Sequence, residues 1–578
     1  MTGREVIYKR YGNTTTILIV SFFIVCWCFF FFYYPYHLYY KEQIMLFVIH
    51  DGYLMSYFCK PAFLSKLIGD YLTQYYLLTG VGPTIITIIL GLLWFGMQKA
   101  FQKLQIEHSA LWALIPVIVE GILSCHIEYP LSMTIGLILA VWLFVGYSQI
   151  NSRTISTIFS FISIALLYIF IGAHFLVYTI LILRYEIENK KISILYTLAL
   201  LFITILIPII GSWFYHLTIP QSFFYPLLER YLINPYIYLF IELSIVFVII
   251  LTLFLKHFWI GISICSIFTA TSILCFTDKK EETILAFSSE AYFGRWNKVS
   301  ELFQKSTNHS YISSYYTNLS HAREDKLADN LLEYYQPASH GLLIEVSGSV
   351  NYIYILSSID ALMECGDMAQ AQHSAMLGMA FSPYQRSSRA IRKLTEIAII
   401  NEDYDAAKKY LWMLQHTSLH KKWAKTKLEL IENDLDLIEK RSLLAKEDIL
   451  FTNNDWTSSF RNLLDANPTN KTAVDYLLCY HLLNKDLDNF KKDYDLYYYP
   501  LYGLKPAKLY QEALLPCFEK ELDPLEQLSY YHISESLFED CIDFLEIYWE
   551  KGTQPEVLKS RFGTTYWFYL YYAQIETP

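Results

Sequence analysis

Lysine and arginine are scarce in the first part of this chain: the 276 residues up to Phe276 contain only fourteen of them. Long apolar runs, such as 17–34 and 236–255, take their place. Across all 578 residues, 54% are hydrophobic, 17% are charged and the mean hydropathy is +0.28. Such a composition is too apolar for a soluble chain of this length. It predicts a membrane-embedded helical part, residues 1–276, followed by a soluble part, residues 277–578.

The sequence also lacks the motifs that identify most catalytic, cofactor and metal sites. It contains no phosphate-binding glycine loop, no dinucleotide glycine pattern, no GxSxG and no Cys-x-x-Cys. We therefore expect no cofactor and no metal. The formal charge of −10 and the absence of a basic stripe exclude nucleic acid as a partner. In the second part a disulfide among Cys365, Cys479, Cys517 and Cys541 is allowed, but their spacing assigns none.

The apolar runs predict about nine membrane spans. The first run is bulky, of full length and without a small-x-small cleavage site, which indicates an uncleaved span and not a signal peptide. The predicted spans cover residues 15–34, 81–97, 110–124, 131–147, 155–183 as a hairpin of two, 192–213, 236–255 and 258–276.

Residues 155–183 contain no Asp, Glu, Lys or Arg, and this segment is too long for one comfortable span and short for two. The basic residues decide between these arrangements, because cytoplasmic loops are enriched in Lys and Arg. A hairpin turning near Gly172 places ten of the fourteen on the cytoplasmic side, whereas a single span gives seven on each side. We therefore predict the hairpin, an inner-membrane protein with a cytoplasmic N-terminus, and a periplasmic second part.

Ionisable residues collect near the predicted outer ends of the spans. A carboxylate in hydrocarbon costs roughly 2.5 to 3.5 kcal/mol on insertion scales, so Glu120 and Glu242 need a partner or a wet cavity. One interpretation is an outward-facing polar binding pocket. The other is that most of these residues are hydrated in loops, and that Glu120 and Glu242 each bond a neighbouring Tyr or Ser. The residues concerned are Glu42, His50, Asp51, Glu120, His126, Glu128, His174 and Glu242.

The loop after the first span contains an amphipathic segment, residues 63–78. Apolar side chains such as Phe63 and Leu67 fall on one helical face, and Lys66, Asp70 and Thr73 on the other. Such a helix is predicted to lie along the membrane surface.

The second part is predicted to be helical, because it contains no alternating strand pattern of any length. A turn signature recurs at 294–299, 366–371 and 402–407, and it resembles the turn of a tetratricopeptide repeat. Trp296 and Tyr404 are expected to be core positions at these turns. Spacing is irregular elsewhere, so a generic solenoid of helical hairpins remains an alternative. Either arrangement stacks helix pairs into a concave surface for a peptide, glycan or protein partner.

Three segments carry a resemblance to a known group of proteins. Residues 42–47 (EQIMLF), 69–76 (GDYLTQYY) and 403–411 (DYDAAKKYL) resemble a family of uncharacterised multi-spanning membrane proteins from Bacteroidetes. The resemblance implies coverage of nearly the full length, and it brings no established activity.

A looser resemblance is to membrane glycosyltransferases of the C superfamily, which share an N-inside first span and a long first outer loop. That loop supplies an acidic residue in those enzymes, and Glu42 or Asp51 occupies the place here. The resemblance implies a carboxylate that acts as general base on an acceptor hydroxyl while a lipid-linked sugar phosphate departs. The chain departs from the paired acidic pattern, because Gln43 follows Glu42.

Together these features favour an integral inner-membrane protein whose outer helical-repeat domain recruits or organises a cell-envelope partner. A C-superfamily-like transferase with a lipid-linked sugar donor is the alternative. A transporter typically has discontinuous helices in two related halves, and the sequence contains no such internal symmetry.

The distribution of positive charge yields a test of topology. A reporter that is active only outside the cytoplasm should be active when fused after Asp278 or at Pro578, because ten of the fourteen basic residues then stay inside. Activity of a cytoplasm-only reporter at both positions would contradict the hairpin and the periplasmic placement of residues 277–578.

Overall fold

The computed structural model describes residues 3–189, 193–226, 244–248, 250, 258–306, 310–346, 350–445, 455–518, 524–551 and 555–574. No strand occurs among these residues, so the predicted all-α class is confirmed for the described part of the chain. The chain divides into two compact units. Unit 1 comprises residues 1–282 together with 413–422, and unit 2 comprises residues 283–412 together with 423–578.

Unit 1 consists of apolar helices joined by short connections. Its α-helices are α1 (Gly3–Cys28), α2 (Tyr36–Gln43), α3 (Asp51–Ser56), α4 (Phe63–Thr73), α5 (Val81–Lys103), α6 (Ser109–Trp112), α7 (Leu114–Leu123), α8 (Leu131–Tyr147), α9 (Arg153–Ile171), α10 (Phe175–Glu188), α11 (Ile194–Phe214), α12 (Ile219–Phe223) and α13 (Phe258–Phe276). Short 3₁₀ or π segments occupy Phe29–Tyr33, Tyr57–Cys59, Gln74–Leu77 and Gly172–His174.

Four helical stretches are long and apolar enough to cross a membrane: Thr15–Tyr33, Val81–Lys103, Arg153–Glu188 and Ile194–Phe214. Three shorter apolar helices cover Ser109–Leu123, Leu131–Tyr147 and Trp259–Thr271. The count is thus below the nine spans that the sequence predicts. One reason is that several predicted spans are helices shorter than the 18–20 residues that hydrocarbon thickness requires. Another is that the predicted span 236–255 lies largely outside the described residues.

The chain reverses direction at Gly172, as the basic residues predict. The guanidinium of Arg153 on α9 bonds the carboxylate of Glu186 on α10, 33 residues later. A straight helix would hold these residues about 50 Å apart. Gly172 has φ +69°, and a Cβ there would lie 2.2 Å from the carbonyl oxygen of Tyr225, so the turn requires glycine.

Helix α4 approaches α8 closely through its small residues. A Cβ on Gly69 would lie 2.6 Å from the backbone nitrogen of Ser132, which shows how closely α4 approaches α8. Ser65 and Thr73 are buried on the same side, whereas Phe63 and Leu67 stay half-exposed. The predicted polar face therefore lies against protein, while Ile68 and Leu72 of the predicted apolar face also pack against the core of unit 1.

Unit 2 consists of shorter amphipathic helices. Its α-helices are α14 (Lys279–Tyr292, whose first turn belongs to unit 1), α15 (Trp296–Lys305), α16 (Tyr311–Arg323), α17 (Leu327–Asn330), α18 (Tyr352–Glu364), α19 (Met368–Phe381), α20 (Ser388–Ile400), α21 (Tyr404–Gln415), α22 (Lys421–Glu429), α23 (Leu435–Glu439), α24 (Trp456–Ala466), α25 (Lys471–Leu483), α26 (Leu487–Asp493), α27 (Tyr499–Tyr502), α28 (Lys508–Cys517), α29 (Pro524–Tyr530), α30 (Glu535–Lys551), α31 (Pro555–Phe562) and α32 (Tyr566–Tyr572).

The three predicted turn signatures all join consecutive helices. Each contains one residue in the left-handed region: Gly294 (φ +69°), Gly366 (φ +83°) and Glu402 (φ +62°). An aspartate then caps the next helix in two of them, because Asp367 accepts from the Gln370 amide at 3.0 Å and Asp403 from the Ala406 amide at 3.1 Å. The signature therefore marks a helix stop followed by a helix start.

The core positions at these turns differ from the prediction. Trp296 and Tyr404 are only half-buried, whereas Val299 and Ala407, three residues further on, are fully buried. The first residue of each helix lies at the edge of the packed face, and the next turn of helix points inward. A tetratricopeptide-like solenoid therefore remains a prediction. Cys365 and Cys479 are buried free thiols.

A buried ionic cluster lies in unit 2. Arg389 is fully buried and donates to Asp360 at 2.7 Å and to the Ser288 hydroxyl at 2.6 Å, while Lys393 lies 3.1 Å from the other Asp360 oxygen. Burial alone would raise the pKa of Asp360, but Lys393 and Arg389 outweigh it and hold that pKa below its ordinary value. Asp360 thus pairs with two cations inside the unit, and Lys393 also lies 3.5 Å from Glu396.

This cluster yields a test of whether unit 2 folds by itself. A fragment of residues 283–578 should be soluble, helical and cooperatively unfolding, because the cluster and its surrounding helices lie within unit 2. Asp360→Asn should lower its free energy of unfolding by about 3 to 5 kcal/mol, since it leaves the fully buried Arg389 without its carboxylate partner. Urea denaturation monitored by circular dichroism measures the helicity of the fragment, the cooperativity of its unfolding and its free energy of unfolding.

Asp540→Asn is the matched control, because Asp540 pairs with Arg561 at 2.8 Å on the exposed surface and such pairs contribute about 0 to 1 kcal/mol. The lowered pKa of Asp360 adds a second readout: the difference between wild type and Asp360→Asn should shrink as pH falls through that pKa. Equal effects of the two substitutions would contradict the energetic role given to Asp360.

Candidate functional site

Helix α2 places a polar cluster in the interior of unit 1. Pro35 precedes the helix, and the carboxyl group of Glu282 accepts from the amides of Tyr36 at 2.6 Å and His37 at 3.1 Å. These amides belong to the first turn of α2, which would otherwise be unsatisfied. Burial raises the pKa of Glu282 to about 8, and it lowers the pKa of His37 well below its ordinary value. A neutral imidazole thus lies beside a carboxyl group that is largely protonated at neutral pH.

Lys41 lies in the last turn of α2 and is 6% exposed. Its ammonium group donates to the carbonyl oxygens of Ser124 at 2.7 Å and Tyr129 at 3.1 Å. Ser124 is the residue at the end of α7, where the helix dipole favours a cation. Burial nevertheless lowers the pKa of Lys41 to about 7, so its charged and neutral forms are both populated near neutral pH. Buried lysines with such pKa values occur often at functional sites.

Glu42 is 2% exposed, and its Oε1 lies 2.8 Å from Nε2 of His420. His420 belongs to the segment 413–422, which lies within unit 1 although its flanking residues belong to unit 2. Two further bonds hold this segment in unit 1: the Ile49 amide donates to the His416 carbonyl at 2.6 Å, and the Ser418 amide to the Gln74 side chain at 3.3 Å. The carboxylate that the sequence singles out therefore has an imidazole partner.

Glu120 is fully buried on α7. Its Oε2 accepts from the hydroxyl groups of Tyr129 at 3.0 Å and Thr134 at 2.7 Å. This is the arrangement that the second interpretation predicts for Glu120, in which a neighbouring tyrosine satisfies it. Tyr129 also accepts from Lys41 through its backbone carbonyl oxygen, so the same residue contacts both Lys41 and Glu120.

His126 and Glu128 lie half-buried in the connection between α7 and α8. Burial and the charge of Lys41 lower the pKa of His126, and burial raises the pKa of Glu128. Burial, Asp278 and Glu128 together raise the pKa of Glu281 to about 7, which shows that Glu128 and Glu281 are electrostatic neighbours. These two predicted residues thus border the cluster around α2.

The remaining predicted residues lie elsewhere. Asp51 is exposed at the start of α3, in a helix whose first turn is capped by the His50 imidazole, 3.3 Å from the Gly52 amide. His174 is buried in the turn between α9 and α10, where a Cβ on Gly136 would lie 3.0 Å from its ring. Glu242 lies outside the described residues. Asp51 and Glu42 therefore have different environments, and His174 is a packing residue beside α8.

Sequence reasoning missed Lys41 and His420. Lys41 is one of the four basic residues that the hairpin leaves on the outer side, and its position next to Glu42 was a signal. His420 lies 378 residues from Glu42, and no local pattern joins the two. Among the described residues, no group of three His, Cys, Asp or Glu side chains is placed to hold a metal ion.

The cluster therefore has three linked parts: the Glu42–His420 pair, Lys41 on the end of α7, and Glu120 with its two hydroxyl donors. A carboxylate paired with an imidazole can accept or relay a proton. Both members of this pair are less than 5% exposed, so a substrate would reach them only after local opening.

The chain belongs to a family of unknown function, DUF6057, whose profile matches residues 10–573. The match covers residues of both units. This match confirms the prediction that the chain belongs to an uncharacterised family. No curated protein and no solved structure is significantly similar to the chain.

The Glu42–His420 contact yields a double-mutant test. Glu42→Gln and His420→Gln should each lower the free energy of unfolding by about 1 to 3 kcal/mol, because each leaves a buried polar partner unsatisfied. The double variant should lose little more than the worse single variant, since both remove the same interaction. Denaturation of the purified full-length protein in detergent micelles provides the measurement.

Asp51→Asn serves as the control and should change stability by less than about 0.5 kcal/mol, because Asp51 is exposed. Strictly additive losses for Glu42→Gln and His420→Gln would show that the two side chains do not interact.

Proposed function

We propose that this protein is a multi-pass inner-membrane protein whose unit 2 faces the periplasm and binds a protein partner of the cell envelope. Two features support the membrane part of the proposal: the four apolar helical stretches of sufficient length and the distribution of basic residues. The partner-binding part rests on one observation, an apolar cleft in unit 2.

The cleft has a volume of about 210 Å³ and lies among four helices, α28, α29, α30 and α32. This volume is below the roughly 300–1,000 Å³ of pockets that hold drug-sized ligands, so it suits one or two side chains of a peptide. The lining is apolar and aromatic: Leu515, Pro516, Phe518, Leu528, Phe538, Cys541, Ile542, Leu545, Trp567 and Tyr571. Such a cleft resembles the pockets in which interface anchor residues are buried.

The surface beside the cleft is acidic. Glu539 and Glu546 are exposed on α30 and lie three residues before and four residues after Ile542, so they flank it on the same helical face. Asp540 and Asp543 are already paired with Arg561 at 2.8 Å each. The exposed negative charge beside the cleft therefore comes from the glutamates, with Trp549 on the same helix 76% exposed. The complementary partner is a segment with an apolar or aromatic anchor residue between lysines or arginines.

Ile542 and Val557 provide a matched pair of variants for testing this proposal. Ile542 lines the cleft and is 41% exposed; Val557 lies on α31 and is 42% exposed. Ile542→Arg should place a cation in the cleft and repel the basic partner, so it should fail to complement a deletion strain while accumulating normally. Val557→Arg should complement fully. A truncation after Lys280, which removes unit 2, should also fail.

A lipid-linked sugar transferase is the second candidate, and the Glu42–His420 pair beside Lys41 favours it. In that mechanism Glu42 is the general base and the imidazole of His420 orients it. Complementation of the same deletion strain distinguishes the two proposals. Glu42→Gln should reduce complementation about 100-fold or more if Glu42 has to abstract a proton. Asp51→Asn tests the other candidate base in the same way. Full complementation by Glu42→Gln and by Asp51→Asn, together with failure of Ile542→Arg, would rule out the transferase proposal. The reverse pattern would remove the partner-binding proposal.

A further inference from the structure

A polar cavity lies in unit 1 at one set of helix ends. It has a volume of about 320 Å³, and its walls include Tyr147, Asn151, Arg153, Tyr185 and Glu186. Helix α8 ends at Tyr147, α9 begins at Arg153, and α10 ends two residues after Glu186. The cavity thus lies at the boundary where the apolar helices stop, which is the depth at which lipid headgroups meet a membrane protein.

The cavity contains one balanced pair of charges. The Arg153 guanidinium bonds the Glu186 carboxylate, which also accepts from the Tyr147 hydroxyl at 2.8 Å. The Glu186 side chain is 3% exposed, whereas that of Arg153 is 40% exposed. The cation therefore reaches outward while the anion stays in the wall, and the pair contributes no net charge.

These positions fit a ligand that carries both a phosphate and an ammonium group. A guanidinium has five donors and uses only part of them on one carboxylate, so Arg153 keeps donors for a phosphate. The first turn of α9 adds backbone amides, because the Ser152 side chain does not cap it. The Tyr185 ring and the Glu186 carboxylate are suited to an ammonium group, through cation–π and charge interactions. A simple anion would gain the first set of contacts but would face the charge of Glu186.

An apolar path leads away from the cavity along α9. Ile155, Ile158, Ile162 and Leu166 recur at helical spacing on one face and are 59%, 54%, 56% and 45% exposed. The path starts two residues after Arg153. A headgroup bound at Arg153 would therefore leave its acyl chains alongside this stripe.

We propose that this cavity binds the headgroup of a zwitterionic phospholipid of the phosphoethanolamine type. Arg153 and the start of α9 hold the phosphate, Glu186 and Tyr185 hold the ammonium group, and the isoleucine stripe of α9 contacts the acyl chains. The proposal depends on the membrane placement of unit 1 and is independent of the cleft in unit 2.

The full-length protein in detergent is exposed to equal amounts of phosphatidylethanolamine and phosphatidylglycerol, and bound lipid is counted by native mass spectrometry. We expect phosphatidylethanolamine to be retained preferentially. Arg153→Gln should lower its retention about tenfold or more, because a charge-assisted bond to phosphate is lost. Arg184→Gln is the matched control: Arg184 lies next to Tyr185 but pairs with Glu188 outside the cavity wall, and retention should be unchanged.

A second variant distinguishes a loss of lipid binding from a folding defect. Asn151 is exposed at the cavity wall, so Asn151→Trp should narrow the cavity without disturbing the Arg153–Glu186 pair, and it too should lower retention. Equal retention of the two lipids, or normal retention by Asn151→Trp, would overturn the proposal. A competition experiment with soluble glycerophosphoethanolamine tests the acyl-chain contact. If this headgroup displaces the lipid at equal concentration, the acyl chains do not contribute to binding and the ligand is a free zwitterion.

Fractionation separates this proposal from the proposed function. A protein recovered without membranes would overturn the membrane placement and the lipid site together. A membrane-embedded protein with no preference for phosphatidylethanolamine would overturn the lipid site alone.

Discussion

An apolar surrounding offers no hydrogen bonds, so a polar group carried into it must find its partner inside the protein. Unit 1 meets this requirement mainly with neutral hydroxyl groups. Thr179 donates to the carbonyl four residues earlier in its own helix, at 3.0 Å. Ser163 on α9 and Tyr178 on α10 share a hydrogen bond of 2.6 Å across the hairpin. The carboxylate of Glu120 is held in the same way, by a tyrosine and a threonine. Such bonds leave these buried polar groups satisfied, and the Ser163–Tyr178 bond also links α9 to α10.

Unit 2 meets the same requirement with charges. The Arg389 guanidinium is fully buried, and its bonds reach residues of two other helices, Ser288 on α14 and Asp360 on α18. A cation of this size is buried at acceptable cost only when its donors are used, so the three helices are fixed relative to one another. Buried polar groups thus find partners inside the protein in both units, mainly hydroxyl groups in unit 1 and charged groups in unit 2. This difference matches the change in composition near Phe276.

The sequence predicts those features that depend on neighbouring residues. The all-helical class and the interhelical turns at Gly294, Gly366 and Glu402 follow from local patterns of hydrophobicity and turn residues, and the reversal at Gly172 follows from the distribution of basic residues over the first part of the chain. Features that depend on contacts between distant residues cannot be predicted from the sequence in this way. No periodicity indicates that His420 bonds Glu42, or that α4 approaches α8 at Gly69. Among the described residues, fewer helices are long enough to span a membrane than the sequence predicts, because hydrophobicity measures how apolar a segment is and not how long its helix becomes.

The segment 413–422 lies in unit 1 but is encoded between two stretches of unit 2. During synthesis, Glu42 therefore precedes its partner His420 by 378 residues. At about 5 to 20 residues per second, the ribosome needs roughly 20 to 75 seconds to cover that distance. For that interval the α2 cluster exists without one of its members, and water or another side chain has to solvate the carboxylate. The interior of unit 1 is thus completed only after residues 283–412 of unit 2 have been translated.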